Sequence, residues 1–168
     1  FGYYSKAGGQ GALAAGPWSE ASGLNSIATG YSSKALETDS IAIGRKSNSE
    51  ALKSIAVGAE SSVTAKWSTA LGSNSTVSGQ QSTALGSYSE ASGKFSAALG
   101  GYKIVVDGEQ SVAVGGASTT VTGNYSTALG SKSNIADANF ATALGYNSKA
   151  SHENSVALGS TSETAEAV

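Results

Sequence analysis

A five-residue segment recurs along the whole chain at nearly constant spacing, and this repeat limits the possible folds more than any other feature. The copy at Ser82-Thr83-Ala84-Leu85-Gly86 is typical. The closing glycines of successive copies are Gly2, Gly16, Gly30, Gly44, Gly58, Gly72, Gly86, Gly100, Gly115, Gly130, Gly145 and Gly159. The step between them is 14 residues up to Gly100, 15 for three steps and 14 for the last. A fixed period of this kind predicts a repeat architecture of about eleven coils.

Each coil carries two strand signals separated by turns. Alanine lies two residues before the closing glycine, between larger or β-branched residues, and this alternation favours a strand over a helix. Serine usually lies three residues after the glycine, and alanine or valine often lies five residues after it. The glycines supply the positive φ angles that tight turns need. Two short strands per coil predict an all-β parallel solenoid, in which coils stacked ~4.8 Å apart form a rod roughly 50 Å long.

The two faces of the strands have different predicted roles. The recurrent alanines and serines are small enough to lie between two closely spaced sheets, so we assign that face to the inside; the reverse assignment stays open. The larger residues then form an outer apolar stripe, and an exposed stripe of this length is typical of an interface. The candidate contacts with a neighbouring chain on this stripe are Leu71, Leu85, Leu99, Leu129, Leu144 and Leu158.

Composition limits the partners. The net charge is −2 and only 13% of residues are charged, so there is no basic field for nucleic acid or an anionic membrane. The absence of cysteine decides little. No stretch is long enough to cross a bilayer and no leader is visible, so any anchor lies outside this sequence. We expect one repeat-built domain over 1–168, with its irregular coils within 101–145.

The segment Ser-Thr-Ala-Leu-Gly-Ser-Tyr-Ser-Glu-Ala-Ser-Gly at 82–93 resembles the head repeat of YadA-like trimeric autotransporter adhesins, and the resemblance covers nearly the whole chain. It implies a left-handed parallel β-roll assembled as a homotrimer and displayed on a Gram-negative outer membrane. It also implies attachment to host receptors or to extracellular-matrix proteins of the collagen, fibronectin and laminin class, without choosing among them. The three 15-residue coils, Ala12 and Ala141 depart from the family pattern, so the standard coil geometry is not carried over there.

The residues do not suggest an enzyme or a cofactor. His152 is the only histidine and lies at a variable surface position, while the carboxylates are scattered and cysteine is absent. No glycine-rich phosphate loop with a following Gly-Lys-Ser is present. A hexapeptide-repeat acyltransferase would need a six-residue period, which the 14-residue period does not fit. The alternative functions are ice binding and a purely structural β-solenoid; ice binding would need a regular threonine ladder, whereas the threonines here form a single, interrupted row.

Aromatic residues cluster at the two turns of the coil. Those one or two residues after the closing glycine are candidate ligand contacts, because exposed tryptophan and tyrosine often anchor interfaces. This first group is Trp18, Tyr31, Tyr88, Tyr102 and Tyr146, to which we add Lys103. Packing at the edge of the roll or of a trimer is the alternative, and it is favoured for the second group, Trp67, Phe95, Tyr125 and Phe140.

The segment Gly101–Gly108 interrupts the repeat most strongly. It opens the first 15-residue coil and replaces the usual serine with Lys103. Insertions in repeat proteins collect on loops, often on the binding face, so this segment is the best local candidate for a specialised contact. The simpler alternative is a β-bulge that only accommodates one additional residue.

Overall fold

A computed structural model of the chain describes residues 1–135 and 138–165, and the regular elements in these ranges are all β-strands. The described residues include no helix long and apolar enough to cross a membrane. The strands form two parallel sheets, and each sheet takes one strand from each successive coil. The predicted parallel solenoid of about eleven coils is therefore confirmed.

We call the two sheets the long-strand sheet and the short-strand sheet. The strands of the long-strand sheet, each ending within two residues of a closing glycine, are Leu13–Ala15, Ile27–Thr29, Ile41–Ile43, Ile55–Val57, Thr69–Leu71, Thr83–Ser87, Ala97–Tyr102, Val112–Ala117, Thr127–Leu129, Thr142–Leu144 and Val156–Leu158. The strands of the short-strand sheet are Lys6–Ala7, Glu20–Ala21, Lys34–Ala35, Asn48–Ser49, Ser62–Val63, Thr76–Val77, Glu90–Ala91, Val105–Val106, Thr120–Val121 and Asn134–Ile135.

Equivalent residues of neighbouring coils lie directly beside one another. Ala84 pairs with Ala70 on one side and Ala98 on the other, and Val77 pairs with Val63 and Ala91 in the opposite sheet. Each side chain therefore stands in a column of its equivalents, about 4.8 Å apart. This in-register stacking explains the strict period, because a slip of one residue would turn every inward side chain outward.

The alanines face the inside of the roll, as predicted. Ala70, Ala84 and Ala98 have no exposed surface, while their larger neighbours Leu71 and Leu85 are exposed on the other face. Alanine columns from the long-strand sheet meet alanine, valine and isoleucine columns from the short-strand sheet. The small side chains set a narrow gap between the sheets, since interiors pack without voids.

Buried serines close the core at both turns. Ser75 Oγ donates a hydrogen bond to the carbonyl oxygen of Gly72 at 2.8 Å, at the first turn of its coil. At the second turn, Ser82 Oγ donates to the carbonyl oxygen of Gly93 in the next coil at 2.7 Å. These bonds satisfy polar groups that would otherwise be buried without partners, which is costly.

One coil has a buried serine where its neighbours have an apolar side chain. Ser49 takes the position held by Ala35 and Val63 in the adjacent coils, and its Oγ lies 2.6 Å from Ser54 Oγ. Both serines are fully buried. The apolar core is consequently split into two clusters, one ending at Ala42 and the other beginning at Ala56.

At both turns a Cβ on the glycine would collide with the backbone of the next coil, at 2.4 Å for Gly72, but the φ angles of the two glycines differ. At the first turn, Gly72 has a φ of +140°, so the predicted positive φ is confirmed there. At the second turn, Gly93 does not have a positive φ; a Cβ on Gly93 would lie 2.1 Å from the carbonyl oxygen of Gly108 in the next coil. The left-handed conformation at this turn is taken instead by Phe95, with a φ of 58°. Gly93 must therefore be glycine because the backbones of two neighbouring coils approach each other closely there.

The first two 15-residue coils absorb their additional residue at the first turn. Strands Ala97–Tyr102 and Val112–Ala117 are extended, and the pairing register shifts between Leu85 and Ser87. The sequence-based assignment of Lys103 to the serine position is wrong. Lys103 is the left-handed turn residue, with a φ of 54°, and the fully buried Ile104 takes the inward position.

The other departures from the repeat either leave the coil regular or fall outside the described residues. The additional residue of the third 15-residue coil falls between Ile135 and Ala138, outside the described residues. Ala141 occupies a serine position without disturbing the ladder, because its carbonyl oxygen accepts from the Thr127 amide at 2.9 Å. Pairing also continues after Ala12, where Ala14 lies beside Ala28.

Replacing Gly93 by alanine should destabilise the protein, because the new methyl group would force two coil backbones apart. We expect Gly93→Ala to lower the free energy of unfolding by about 1–3 kcal/mol, the usual cost of overpacking. Gly116→Ala is the matched control, since a Cβ there would meet only Ser131 at 3.7 Å. Urea unfolding followed by circular dichroism measures both, and equal midpoints for the two variants would contradict the close-approach explanation.

Candidate functional site

The outer face of the long-strand sheet is a continuous apolar surface, which we call the apolar ribbon. Its residues are Ile27, Ile41, Ile43, Ile55, Val57, Leu71, Leu85, Leu99, Val112, Val114, Leu129, Leu144, Val156 and Leu158. All six leucines proposed as contacts with a neighbouring chain lie on it. Leu129 is 45% exposed, and Leu158 is 68% exposed. A surface of this length and composition is suited to burial against another protein surface.

The threonines on the same face do not form a regular array. Thr69 and Thr83 lie side by side, but Ala97 and Val112 follow them in the column before Thr127. The interruption expected from the sequence is therefore present in the folded chain.

All the predicted ligand contacts of the first group lie along one edge of the roll, which we call the first-turn edge. The residues are Trp18, Tyr31, Tyr88, Tyr102, Lys103 and Tyr146. About half of the surface of each of the five aromatic side chains is exposed. They lie in different coils, however, and the structure brings only some of them together.

Tyr88, Tyr102 and Lys103 line one groove on this edge, with a volume of about 320 Å³. We call it the Tyr88–Tyr102 groove; it is lined by Asn74, Thr76, Tyr88, Ser89, Glu90, Tyr102, Lys103 and Val105. The two tyrosine rings are 5.4 Å apart between centroids and inclined at 62°. Their edge-to-face contact is a favourable aromatic geometry, so each ring helps to hold the other in place.

The charges of the groove are of both signs. Glu90 Oε1 accepts a hydrogen bond from Ser92 Oγ at 3.0 Å, and Lys103 lies at the turn of the next coil. Within residues 1–135 and 138–165, neither side chain belongs to an ion pair. The groove therefore offers a ligand two half-exposed tyrosine rings, a carboxylate and an ammonium group.

Trp18 belongs to a separate aromatic cluster formed by the first two coils. It stacks on Tyr4 at 4.6 Å with an angle of 24° between the rings, and Tyr3 contacts it edge-on at 5.9 Å. A hydrogen bond with Tyr4 and, to a smaller extent, lost hydration raise the pKa of the Tyr3 phenol. Sequence reasoning missed Tyr3 and Tyr4, although Tyr4 follows Gly2 by the same two residues that separate Trp18 from Gly16.

The remaining residues of the first-turn edge are more isolated. The ammonium group of Lys132 lies 5.5 Å from the centroid of the Tyr146 ring, close enough for a cation–π interaction. Tyr31 makes no ring contact with another aromatic residue of the described ranges.

The second aromatic group lies on the opposite edge, which we call the second-turn edge. Tyr125 and Phe140 of adjacent coils are stacked with their centroids 5.1 Å apart and their planes 4° from parallel. Lys94 Nζ lies 4.8 Å from the centroid of Phe95. Trp67 is separated from Phe95 by the coil that carries Gln81, so the group does not form one continuous stack.

Charges and the histidine have ordinary surface surroundings. Lys6 Nζ is 3.4 Å from Glu20 Oε1 across neighbouring strands, and Arg45 is 2.9 Å from Glu60. His152 Nδ1 is 3.1 Å from Thr164 Oγ1. In the described part of the chain, no three histidine, aspartate or glutamate side chains come together as metal ligands would.

Comparisons with known proteins give one matching family model and a solved structure of similar fold. The model of the YadA head domain repeat matches residues 7–33, 35–61, 64–89, 78–102, 107–133 and 136–162. The crystal structure of the collagen-binding domain of the Yersinia adhesin YadA is similar with a TM-score of 0.62 and 24% identity, over 89% of this chain and 74% of that one. At 24% identity, the similarity to the Yersinia domain shows a shared fold. No curated protein matches the chain significantly.

The stacked rings of Tyr125 and Phe140 should stabilise the second-turn edge within one chain. We expect a double-mutant cycle of Tyr125→Ala and Phe140→Ala to give a coupling free energy of about 0.5–1.5 kcal/mol in urea unfolding. The matched control is the pair Phe95→Ala and Tyr125→Ala, whose rings are separated by the coil of Gln110. A control pair that couples as strongly as the stacked pair would rule out direct ring contact as the cause.

Proposed function

The chain belongs to the family of YadA head domains, and from this membership we propose that it is the head of a homotrimeric adhesin of a Gram-negative outer membrane that attaches the cell to host extracellular matrix or host-cell receptors. The observation that carries the proposal is the family match, which repeats from residue 7 to residue 162. An adhesin role and a bacterial cell-surface location follow from the family. The trimer, the membrane anchor and the host ligands are the proposed part.

The apolar ribbon supports trimer formation. Its leucines, isoleucines and valines lie in columns along the whole rod, and Leu85 and Leu129 remain well exposed in a single chain. Burying apolar surface contributes about 25 cal/mol per Å², so three ribbons packed around a common axis would supply stability that the thin alanine core lacks. The short-strand sheet would then face outward.

Collagen is the first ligand to test. The Yersinia domain with the similar fold is described as collagen-binding, and a rod with equivalent side chains at every coil suits a fibrous, repetitive ligand. Fibronectin, laminin and host receptors are the further candidates. Three copies on one rod, and many rods on one cell, convert weak single contacts into firm attachment through effective concentration.

The exposed side chains of the first-turn edge are the proposed ligand contacts. They are Trp18, Tyr31, Tyr88, Tyr102, Lys103 and Tyr146. The aromatic residues of the second-turn edge, Trp67, Phe95, Tyr125 and Phe140, are assigned to packing at the edge of the roll or between chains.

Charges placed on the apolar ribbon should prevent trimer formation. We expect the native head to sediment as a trimer and the double variant Leu85→Glu with Leu129→Glu to sediment as a monomer, because carboxylates would be buried without partners. The control is Ser62→Glu with Thr120→Glu, which places the same charges on the outer face of the short-strand sheet. A native head that is folded but monomeric in sedimentation velocity would contradict the trimer.

The native trimer should bind immobilised matrix protein much more tightly than the monomeric variant. We expect a loss of about a hundredfold or more in apparent affinity when the three copies separate, since multivalent binding depends on their connection. Surface plasmon resonance against collagen, fibronectin and laminin, together with binding to host cells, measures this. The absence of binding to all of these surfaces would refute the adhesion proposal.

A further inference from the structure

We propose that the Tyr88–Tyr102 groove is a docking site for a polypeptide segment in the polyproline II conformation. Such segments occur as single proline-rich strands and as the component chains of collagen-like helices. The proposal specifies a site and a ligand conformation, and it rests on the proposed function only in assuming that the ligand is a protein.

The dimensions of the groove match one turn of polyproline II. Its lining comes from three successive coils, through the adjacent strand positions Thr76, Glu90 and Val105. Two coil steps span about 9.6 Å at ~4.8 Å each. A polyproline II helix advances ~3.1 Å per residue and returns to the same face every three residues, or about 9.3 Å. A segment lying along the rod axis would therefore present equivalent residues to the first and third coils of the groove.

The chemistry of the lining also fits this conformation. Proline-rich segments dock on grooves lined by aromatic residues, and Tyr88 and Tyr102 are each about half exposed. Because the two rings already touch, pyrrolidine rings would lie across them and not between them. Polyproline II has no internal hydrogen bonds, so its carbonyl groups are free to accept from the phenol groups, the Asn74 amide and the Lys103 ammonium group.

The additional residue of the first 15-residue coil builds this groove. It extends strand Ala97–Tyr102 and sets Tyr102 beside Ser87, from where its ring reaches Tyr88. A smaller groove at the corresponding place in earlier coils, with a volume of about 240 Å³, provides the comparison. It is lined by Ser32, Lys34, Lys46, Ser47 and Asn48 and has no aromatic ring. Tyr88 of the preceding regular coil and Tyr102 of the irregular coil thus make this groove aromatic, whereas the earlier groove is lined by polar side chains.

The groove does not compete with trimer formation through the apolar ribbon. None of its lining residues belongs to the ribbon, and Thr76, Glu90 and Val105 lie on the short-strand sheet. Each chain of the proposed trimer would therefore carry its own groove.

The test is a titration of the native head with a fluorescein-labelled oligoproline peptide, followed by fluorescence anisotropy. A Gly-Ser peptide of equal length is the ligand control. We expect saturable binding of oligoproline alone, and a loss of about tenfold or more in affinity in Tyr88→Ala with Tyr102→Ala, equivalent to about 1.4 kcal/mol. The matched protein control is Trp67→Ala with Phe95→Ala, which removes two exposed rings of the opposite edge, outside the proposed ligand contacts, and should leave affinity unchanged. Circular dichroism and sedimentation check that each variant keeps its fold and assembly.

The outcomes separate this proposal from the adhesin function. Equal binding of the Gly-Ser peptide, no binding of oligoproline, or full binding by the Tyr88→Ala and Tyr102→Ala variant would each overturn the groove. If the variant Tyr88→Ala with Tyr102→Ala keeps full affinity for matrix protein, the adhesin proposal holds and the groove is not its binding site. Oligoproline binding that depends on the two tyrosines, in a head that binds no matrix or host surface, would support the groove and refute the adhesin proposal.

Discussion

The close stacking of one coil on the next is the constraint on which the rest of the structure depends. Backbone hydrogen bonds fix the spacing of the coils, and at the turns this leaves no room for a Cβ on residues such as Gly93. The same stacking places Ala84 between Ala70 and Ala98, where the opposite sheet is near enough to exclude a larger side chain. The inward positions of the long-strand sheet are therefore alanine throughout, and larger differences between coils occur on the outside.

This division separates stability from recognition. The inward residue of the long-strand sheet is alanine in every coil, so this column carries no information about a ligand. The turn positions are exposed, and each includes a residue in the left-handed conformation, such as Trp67 or Tyr88. This conformation costs an aromatic residue free energy of order 1 kcal/mol, and asparagine or glycine would adopt it more readily. Aromatic residues therefore occupy these turns although their backbone disfavours the left-handed conformation, which is consistent with a role in contacts.

Much of the fold follows from the period alone, because an in-register parallel stack transmits the sequence repeat directly into space. The inward alanines, the exposed leucines and the two turn edges could all be predicted from one coil. What could not be predicted depends on where an additional residue is absorbed. Counting from Gly100 assigns the inward position to Lys103, whereas a longer strand moves it to Ile104. The ring contact between Tyr102 and Tyr88 follows from that shift, which sets Tyr102 beside Ser87, and no single coil contains it.

The in-register turn also determines how a chain of this kind can change in evolution. An insertion at the turn after Gly100 is absorbed locally, since Ala98 still pairs with Ala113 and Ala113 with Ala128. Adding or removing a whole coil would likewise leave all remaining neighbours in their former register. Duplication can therefore lengthen the rod in fixed increments, while single-residue insertions at a turn alter the surface of one coil. Reach and recognition are then separately adjustable by small genetic events.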